Sequence, residues 1–156
     1  MKIIYIATGR TQNAHIAALT DEYCKRLTHY LPFEKKELPE LKNTKNLTEE
    51  QQKTEEGRLI LQCVTPSACL ILLDERGQQM RSVQWADYLQ KLLSAGRDLM
   101  FVSGGPYGFS KEVYARANGR ISLSLMTFSH QMVRLFFTEQ LYRAFTILRH
   151  EPYHHE

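Results

Sequence analysis

The sequence has little cysteine, and what it has forms no pattern. Cys24, Cys63 and Cys69 are the three cysteines among 156 residues. Their spacing fits no zinc-type ligand set, and an odd number leaves one unpaired, so reduced thiols packed as small core side chains are expected. No apolar run is long enough to span a bilayer. The opening MKIIYIATG carries one lysine and no small-residue cleavage site, so no signal peptide is expected and the cytoplasm is the default compartment. No repeat, low-complexity tract or Pro/Gly/Ser linker divides the chain, which points to a single domain over residues 1–156. Lysine and arginine form no run that would act as a basic arm. Twenty basic residues against 17 acidic ones give a net charge of +3, which permits an anionic partner such as RNA but leaves recognition to shape and a specific docking site. G-x-G-x-x-G is missing after the first strand, where IATGRTQ stands, and no G-K-[ST] follows the later glycines. A nicotinamide- or flavin-dependent oxidoreductase built on a similar sheet is disfavoured on that ground.

What the chain does contain is an alternation of apolar strands and amphipathic helices. KIIYIATG reads as a buried strand closed by Gly9. Residues 14–30 carry Ile16, Leu19, Tyr23 and Leu27 at helical spacing, with Pro32 as a stop. FEKKELP is a short strand whose charges suit a sheet edge. Thr48 is placed to cap a helix that begins with Glu49 and Glu50, where carboxylates complement the helix dipole. ACLILLD and DLMFVSGG are further buried strands. Between them SVQWADYLQKLLSAG is a helix capped by Ser82 and ended by Gly96. RISLSLMTF reads as a fourth apolar strand, and SHQMVRLFFTEQLYRAFTILRH as the last long helix. Strands that are apolar throughout, each followed by a helix, predict an α/β fold: a mainly parallel sheet covered by helices on both faces.

Open parallel sheets bind ligands beyond the carboxyl ends of their strands, which singles out LLDERG, VSGGPYG and SLSLMTF. In the second, Gly104 and Gly105 allow close backbone approach and Pro106 stiffens the turn. A tight strand-to-helix turn without a ligand explains the same residues equally well. In the third, Thr127 and Ser129 both suit a helix N-cap, while Leu125, Met126 and Phe128 either line an apolar slot or belong to the core. The last helix is apolar on most sides, with Val133, Phe136, Phe137 and Leu141 in one stripe and Met132, Leu135, Tyr142 and Phe145 beyond it. A subunit interface, hence a homodimer, is the expectation. Within that helix Glu139 and Arg143 stand one turn apart as a ready ion pair, and His130 falls in its first turn.

The terminal HEPYHHE offers His150, His154 and His155. Pro152 breaks any common helical face and no acidic or cysteine partner has suitable spacing, so a metal site is not expected. Two histidines before Glu156 resemble no purification tag. A tail folded back onto a site at a subunit interface is the remaining reading.

FVSGGPYGFS, SLSLMTFSHQMVRLFFTEQLYRA and PYHHE together resemble the small bacterial methyltransferases of the SPOUT class that modify N3 of a pseudouridine in large-subunit (23S) ribosomal RNA. The resemblance extends over essentially the whole chain. It implies a C-terminal deep trefoil knot, which strand and helix patterns alone do not suggest because threaded chains are so rare. It also implies a homodimer that acts on the assembled ribosome and uses S-adenosylmethionine. The cofactor contacts implied are Leu73, Gly104 and Gly105, with Leu123, Ser124, Leu125, Met126, Thr127 and Phe128. His130, Arg134, Arg143, Tyr153 and His154 are the implied candidates for positioning the nucleotide or moving its proton. His150 departs from the family, which often has glycine there. A ribosome-binding factor that kept the fold but lost catalysis is the alternative, opposed by the intact LSLMTF, the glycine turn and the histidine tail.

Overall fold

The structure is a computed structural model that describes residues 1–155. Five strands, β1 (Ile3–Thr8), β2 (Phe33–Leu38), β3 (Cys69–Gln79), β4 (Leu99–Ser103) and β5 (Gly119–Ser122), form one sheet in the order β2-β1-β4-β3-β5. Every pairing is parallel. β2, with its alternation of half-buried and exposed residues, is at an edge as its charges suggest.

The helices are α1 (Ala14–Leu27), α2 (Glu49–Cys63), α3 (Ser82–Ser94), α4 (Lys111–Arg116) and α5 (Met132–Leu148). Side chains alternate across each strand, so two separate cores form. Ile3, Tyr5, Ile71 and Phe101 face Leu27 of α1, Trp85 of α3 and Phe137 of α5. Ile4, Ile6, Leu70 and Val102 face Ile60 of α2 and Val113 of α4. Both faces are therefore covered, as apolar strands require. In the first core the Phe137 ring lies 4.9 Å from Tyr5 and 5.0 Å from Phe101, which in turn meets Trp85 edge-on at 5.8 Å.

Local chemistry explains most element boundaries. The Asn13 side chain accepts from the amides of His15 and Ile16 to start α1. Thr48 and Gln51 form a reciprocal capping box at α2. At α3 the cap is Arg81 rather than Ser82, which becomes the first helical residue. Helix α4 is only six residues long, and the sequence pattern did not reveal it.

Two expectations change. β5 ends at Ser122, not near Phe128. The Ser122 hydroxyl donates to Ser124 O at 2.8 Å, and Ser124 Oγ accepts from the Met126 amide at 2.9 Å. The serines that read as strand alternation fold the backbone into tight local turns instead. The apolarity of α5 is also explained largely within the chain, because this helix packs between α1 and α3 over the centre of the sheet. Of its large apolar side chains only Phe136 is exposed.

The end of α5 explains the unusual residue at 150. The His150 amide bonds to Ile147 O at 3.2 Å and the Glu151 amide to Thr146 O at 2.9 Å, the hydrogen-bond pair of a Schellman motif. That motif needs a left-handed residue between them, and His150 has φ of 56°. A side chain is strained there. Substituting His150→Gly should raise the unfolding free energy by about 0.5–1 kcal/mol after the entropy cost of glycine in the unfolded chain. Thermal denaturation checks this, with an expected gain of about 1–4 °C in Tm.

Candidate active site

β4, β3 and β5 are neighbours and run parallel, so their carboxyl ends open on one rim. A cavity of about 360 Å³ lies there, lined from three strand ends. Leu73, Asp74 and Glu75 come from β3, the turn from Ser103 to Phe109 follows β4, and the segment from Ser122 to Val133 follows β5. Its volume falls in the range of small-molecule sites.

Each wall has an identifiable support. The Ser103 hydroxyl is hydrogen-bonded to Tyr5 at 2.7 Å, and Thr8 Oγ1 donates to Ser103 O at 3.0 Å, fixing the root of the glycine turn to β1. Gly108 has φ of 85° and its amide bonds back to Gly105 O at 3.2 Å. A Cβ at Gly104 would stand 3.2 Å from the Phe109 ring, so a larger residue would crowd the wall. Asp74 accepts the Tyr114 hydroxyl at 2.7 Å and the Arg76 amide at 3.0 Å. Burial and the bond to this carboxylate push the Tyr114 phenol up to about 12. Thr127 donates to Glu75 at 3.0 Å, tying the third wall to the first. Of the two cap candidates, Ser129 does the capping: its Oγ accepts from the Met132 amide at 3.1 Å, and its carbonyl accepts from Val133. Leu125 and Met126 stand out into solvent, 82% and 77% exposed. Met126 borders the cavity; Leu125 does not.

Apart from the solvent-exposed Leu125, the residues singled out from the sequence fall into three places. Leu73, Gly104, Gly105, Leu123, Ser124, Met126, Thr127, Phe128 and His130 line the cavity. Arg143, Tyr153 and His154 form a second cluster. Tyr153 donates to Glu139 at 2.9 Å and meets Tyr23 at 3.2 Å, with Arg143 over its ring at 4.8 Å. Arg143 also pairs with Glu139 at 2.7 Å and with His154 Nδ1 at 3.1 Å. An arginine can only donate, so that ring nitrogen accepts. Burial and the bonds to Tyr23 and Glu139 push the Tyr153 phenol well above its ordinary value, so it keeps its proton. None of these three residues lines the cavity.

Arg134 is in neither place. It is buried and donates to His130 O at 3.2 Å, Thr11 Oγ1 at 2.8 Å, Glu37 at 3.0 Å and Thr8 O at 2.8 Å. Its guanidinium is committed to holding α5 against β1 and β2, and it does not face the cavity. Sequence reasoning passed over Asp74, Glu75, Phe109 and Val133 as lining residues, although LLDERG had been marked as a strand end.

The charge of the lining selects its ligand. Asp74 and Glu75 are the charged side chains among the described residues that border the cavity, and no lysine or arginine joins them. Anionic ligands such as dinucleotides are disfavoured there, and a compact cation with an apolar body fits. No group of three or more His, Cys, Asp or Glu among the described residues is placed to hold a metal, and no helix among them is long and apolar enough to cross a membrane.

A parallel sheet with a cavity of this kind at its carboxyl rim agrees with the family that the chain matches over residues 1–154, described as "Predicted SPOUT methyltransferase". The chain belongs to that family and is a methyltransferase whose methyl donor is S-adenosylmethionine. Membership implies the trefoil knot in the C-terminal part, which corrects the plain doubly wound sheet that periodicity alone predicts. Among particular proteins, it is similar to the Ribosomal RNA large subunit methyltransferase H of Christiangramia forsetii, 57% identical over 99% of both chains. Proteins of the same name from Flavobacterium johnsoniae and Parabacteroides distasonis are 55% and 54% identical over the full length of both chains.

Proposed function

We propose that this protein methylates N3 of a pseudouridine in large-subunit ribosomal RNA, on the assembled ribosome in the cytoplasm, as a homodimer. The observation that carries the reading is the cavity built from three parallel strand ends, whose acidic and apolar lining suits a sulfonium. The names of full-length relatives add the substrate class.

When bound, S-adenosylmethionine supplies a methyl group on a sulfonium that leaves without acid assistance. Leu73, Leu123 and Phe128 would enclose its apolar parts, and the glycine turn and Ser124–Thr127 segment would meet its polar edges through backbone groups. The remaining task of the chain is to orient an imide and manage one proton. His130 is the imidazole that borders the cavity, and in this reading it accepts the N3 proton. Tyr153 holds its proton too firmly for that role and serves as a donor. Arg143, with His154 beside it, stabilises the negative charge that develops on the uracil carbonyls. Arg134 positions: its bond to His130 O fixes the start of α5.

Distance supports the dimer. Arg143 lies ten residues beyond Val133, or about 15 Å along the helix, so its cluster stands away from the cavity of its own chain. A second copy can bring its tail there. Leu19 on α1 and Phe136 on α5, 47% and 39% exposed on two helices that pack together, offer an apolar face for it.

Transfer of radiolabelled methyl from S-adenosylmethionine tests the reading. Whole ribosomes, isolated large subunits and free ribosomal RNA are compared, all from cells lacking this activity. Label confined to large-subunit RNA in whole ribosomes is the expected result. No label in any sample, despite bound cofactor, overturns the assigned substrate.

A further inference from the structure

Glu56 lies in the middle of α2 and is 7% exposed, yet it has no cationic partner among the described residues. One carboxyl oxygen, Oε1, accepts from Gln52 Nε2 at 3.1 Å. The other, Oε2, is fully buried and bonds to no described residue. An unpaired charge in such a place is costly, and burial pushes this carboxyl above its ordinary value.

What faces Oε2 is the cofactor turn. A Cβ on Gly105 would lie 2.5 Å from it. One residue along α2, a Cβ on Gly57 would collide with the Ser110 hydroxyl, which caps α4. Neither glycine has a positive φ, so both are needed for space and not for backbone conformation. They let α2 press against the back of the turn whose front, at Gly104 and Gly105, lines the cavity.

We propose that Glu56 is a positioning residue for the methyl-donor site: its buried carboxyl packs against the back of the Gly104–Gly105 turn and braces it. The proposal rests on the cavity being the S-adenosylmethionine site. Loss of the Glu56 proton sets a bare charge against the turn and loosens it.

Few other groups act on this carboxyl. On α2, Lys53 is paired with Glu50 at 2.6 Å and Arg58 with Glu55 at 3.1 Å. The turn contributes only the Tyr107 phenol, which is 45% exposed. From α4 come Lys111, which acts on Glu50, and Glu112. β1 presents the apolar Ile4 and Ile6 to this face. Glu56 is therefore the group whose titration the turn would feel.

The test compares the wild type with Glu56→Gln and Glu56→Ala between pH 5.5 and 9. Calorimetry gives Kd for S-adenosylmethionine, and hydrogen exchange at the amides of residues 104–109, without ligand, reads the turn itself. Wild-type affinity should fall as pH rises through the raised carboxyl value, with a slope of at most about tenfold per pH unit for one proton per site. Glu56→Gln, a permanently neutral donor of the same shape, should hold the low-pH affinity throughout. Glu56→Ala should bind weakly and exchange rapidly at every pH. Equal pH slopes in wild type and Glu56→Gln overturn the proposal, as does wild-type affinity in Glu56→Ala. If no form binds the cofactor but turn exchange rises with pH in the wild type and not in Glu56→Gln, the brace stands and the cofactor assignment fails.

Discussion

Replacing Arg134 by methionine should lower the unfolding free energy by about 3–5 kcal/mol, the range for breaking a buried ion pair. Methionine keeps most of the volume, so the loss measures the guanidinium. Four acceptors on three separate segments lose their donor together: Thr8 O at the end of β1 with Thr11 Oγ1 just beyond it, Glu37 on β2, and His130 O before α5. Glu37 does not become wholly isolated, because it is about one-third exposed and also accepts from the Thr11 hydroxyl at 2.6 Å and from the Thr11 amide. Burial works to raise its carboxyl, but the Thr11 bonds and the charges of Lys35 and Arg134 outweigh it and hold the group below its ordinary value. A depressed carboxyl stabilises the fold at neutral pH and loses that contribution as pH falls through the folded value. The variant should therefore show a weaker acid limb as well as a lower urea midpoint at unchanged slope. A loss under about 1 kcal/mol would mean that the pair contributes no more than a surface contact.

Deleting residues 152–156 should leave the Kd for S-adenosylmethionine within about twofold while reducing methyl transfer by about 10²-fold or more, because it removes the Tyr153 donor and both tail contacts that hold Arg143 in place. The geometry supports that separation. Every described cavity-lining residue precedes α5 or lies in its first turn, whereas the tail packs on Glu139, Arg143, Tyr23 and Tyr142. Tyr153→Phe keeps the ring on Tyr142 and loses the hydroxyl's bonds to Glu139 and Tyr23, so its activity separates packing of the tail from its hydrogen bonding. Full transfer by the truncated chain would make the tail a structural clasp for α1 and α5 and nothing more.

β1, β4 and the first half of β3 were legible in the sequence because each is a short apolar run with turn residues behind it, and the edge position of β2 was legible in its lysines and glutamates. Other features depend on partners far away along the chain. Arg134 reads as a charge close to His130, and only the fold reveals that three of its four acceptors lie 97 to 126 residues distant. Ser122 and Ser124 fit strand alternation as well as they fit serine turns, and the local hydrogen bonds decide for the turn. The second half of β3 was missed because its register shifts between Leu73 and Gln78, so that Asp74 and Glu75 leave the ladder and border the cavity. The three strand ends singled out from topology alone border one cavity, because that rule needs no knowledge of side-chain contacts. The brace at Glu56 left only the adjacent Glu and Gly of α2 as a trace, with nothing to say what they touch.

The position of α5 has a consequence for biosynthesis. This helix covers Tyr5 and Phe101 with Phe137, yet it is the last element made. At about 5–20 residues per second, the nascent chain waits several seconds between the synthesis of Phe101 and that of the helix that buries it. During that interval the middle of the sheet lacks one of its two covers, and the α2 and α4 face can assemble alone. Apolar surface awaiting its cover therefore lies on one side of the young sheet, and the segment that arrives to bury it also completes the wall of the cavity at the strand ends.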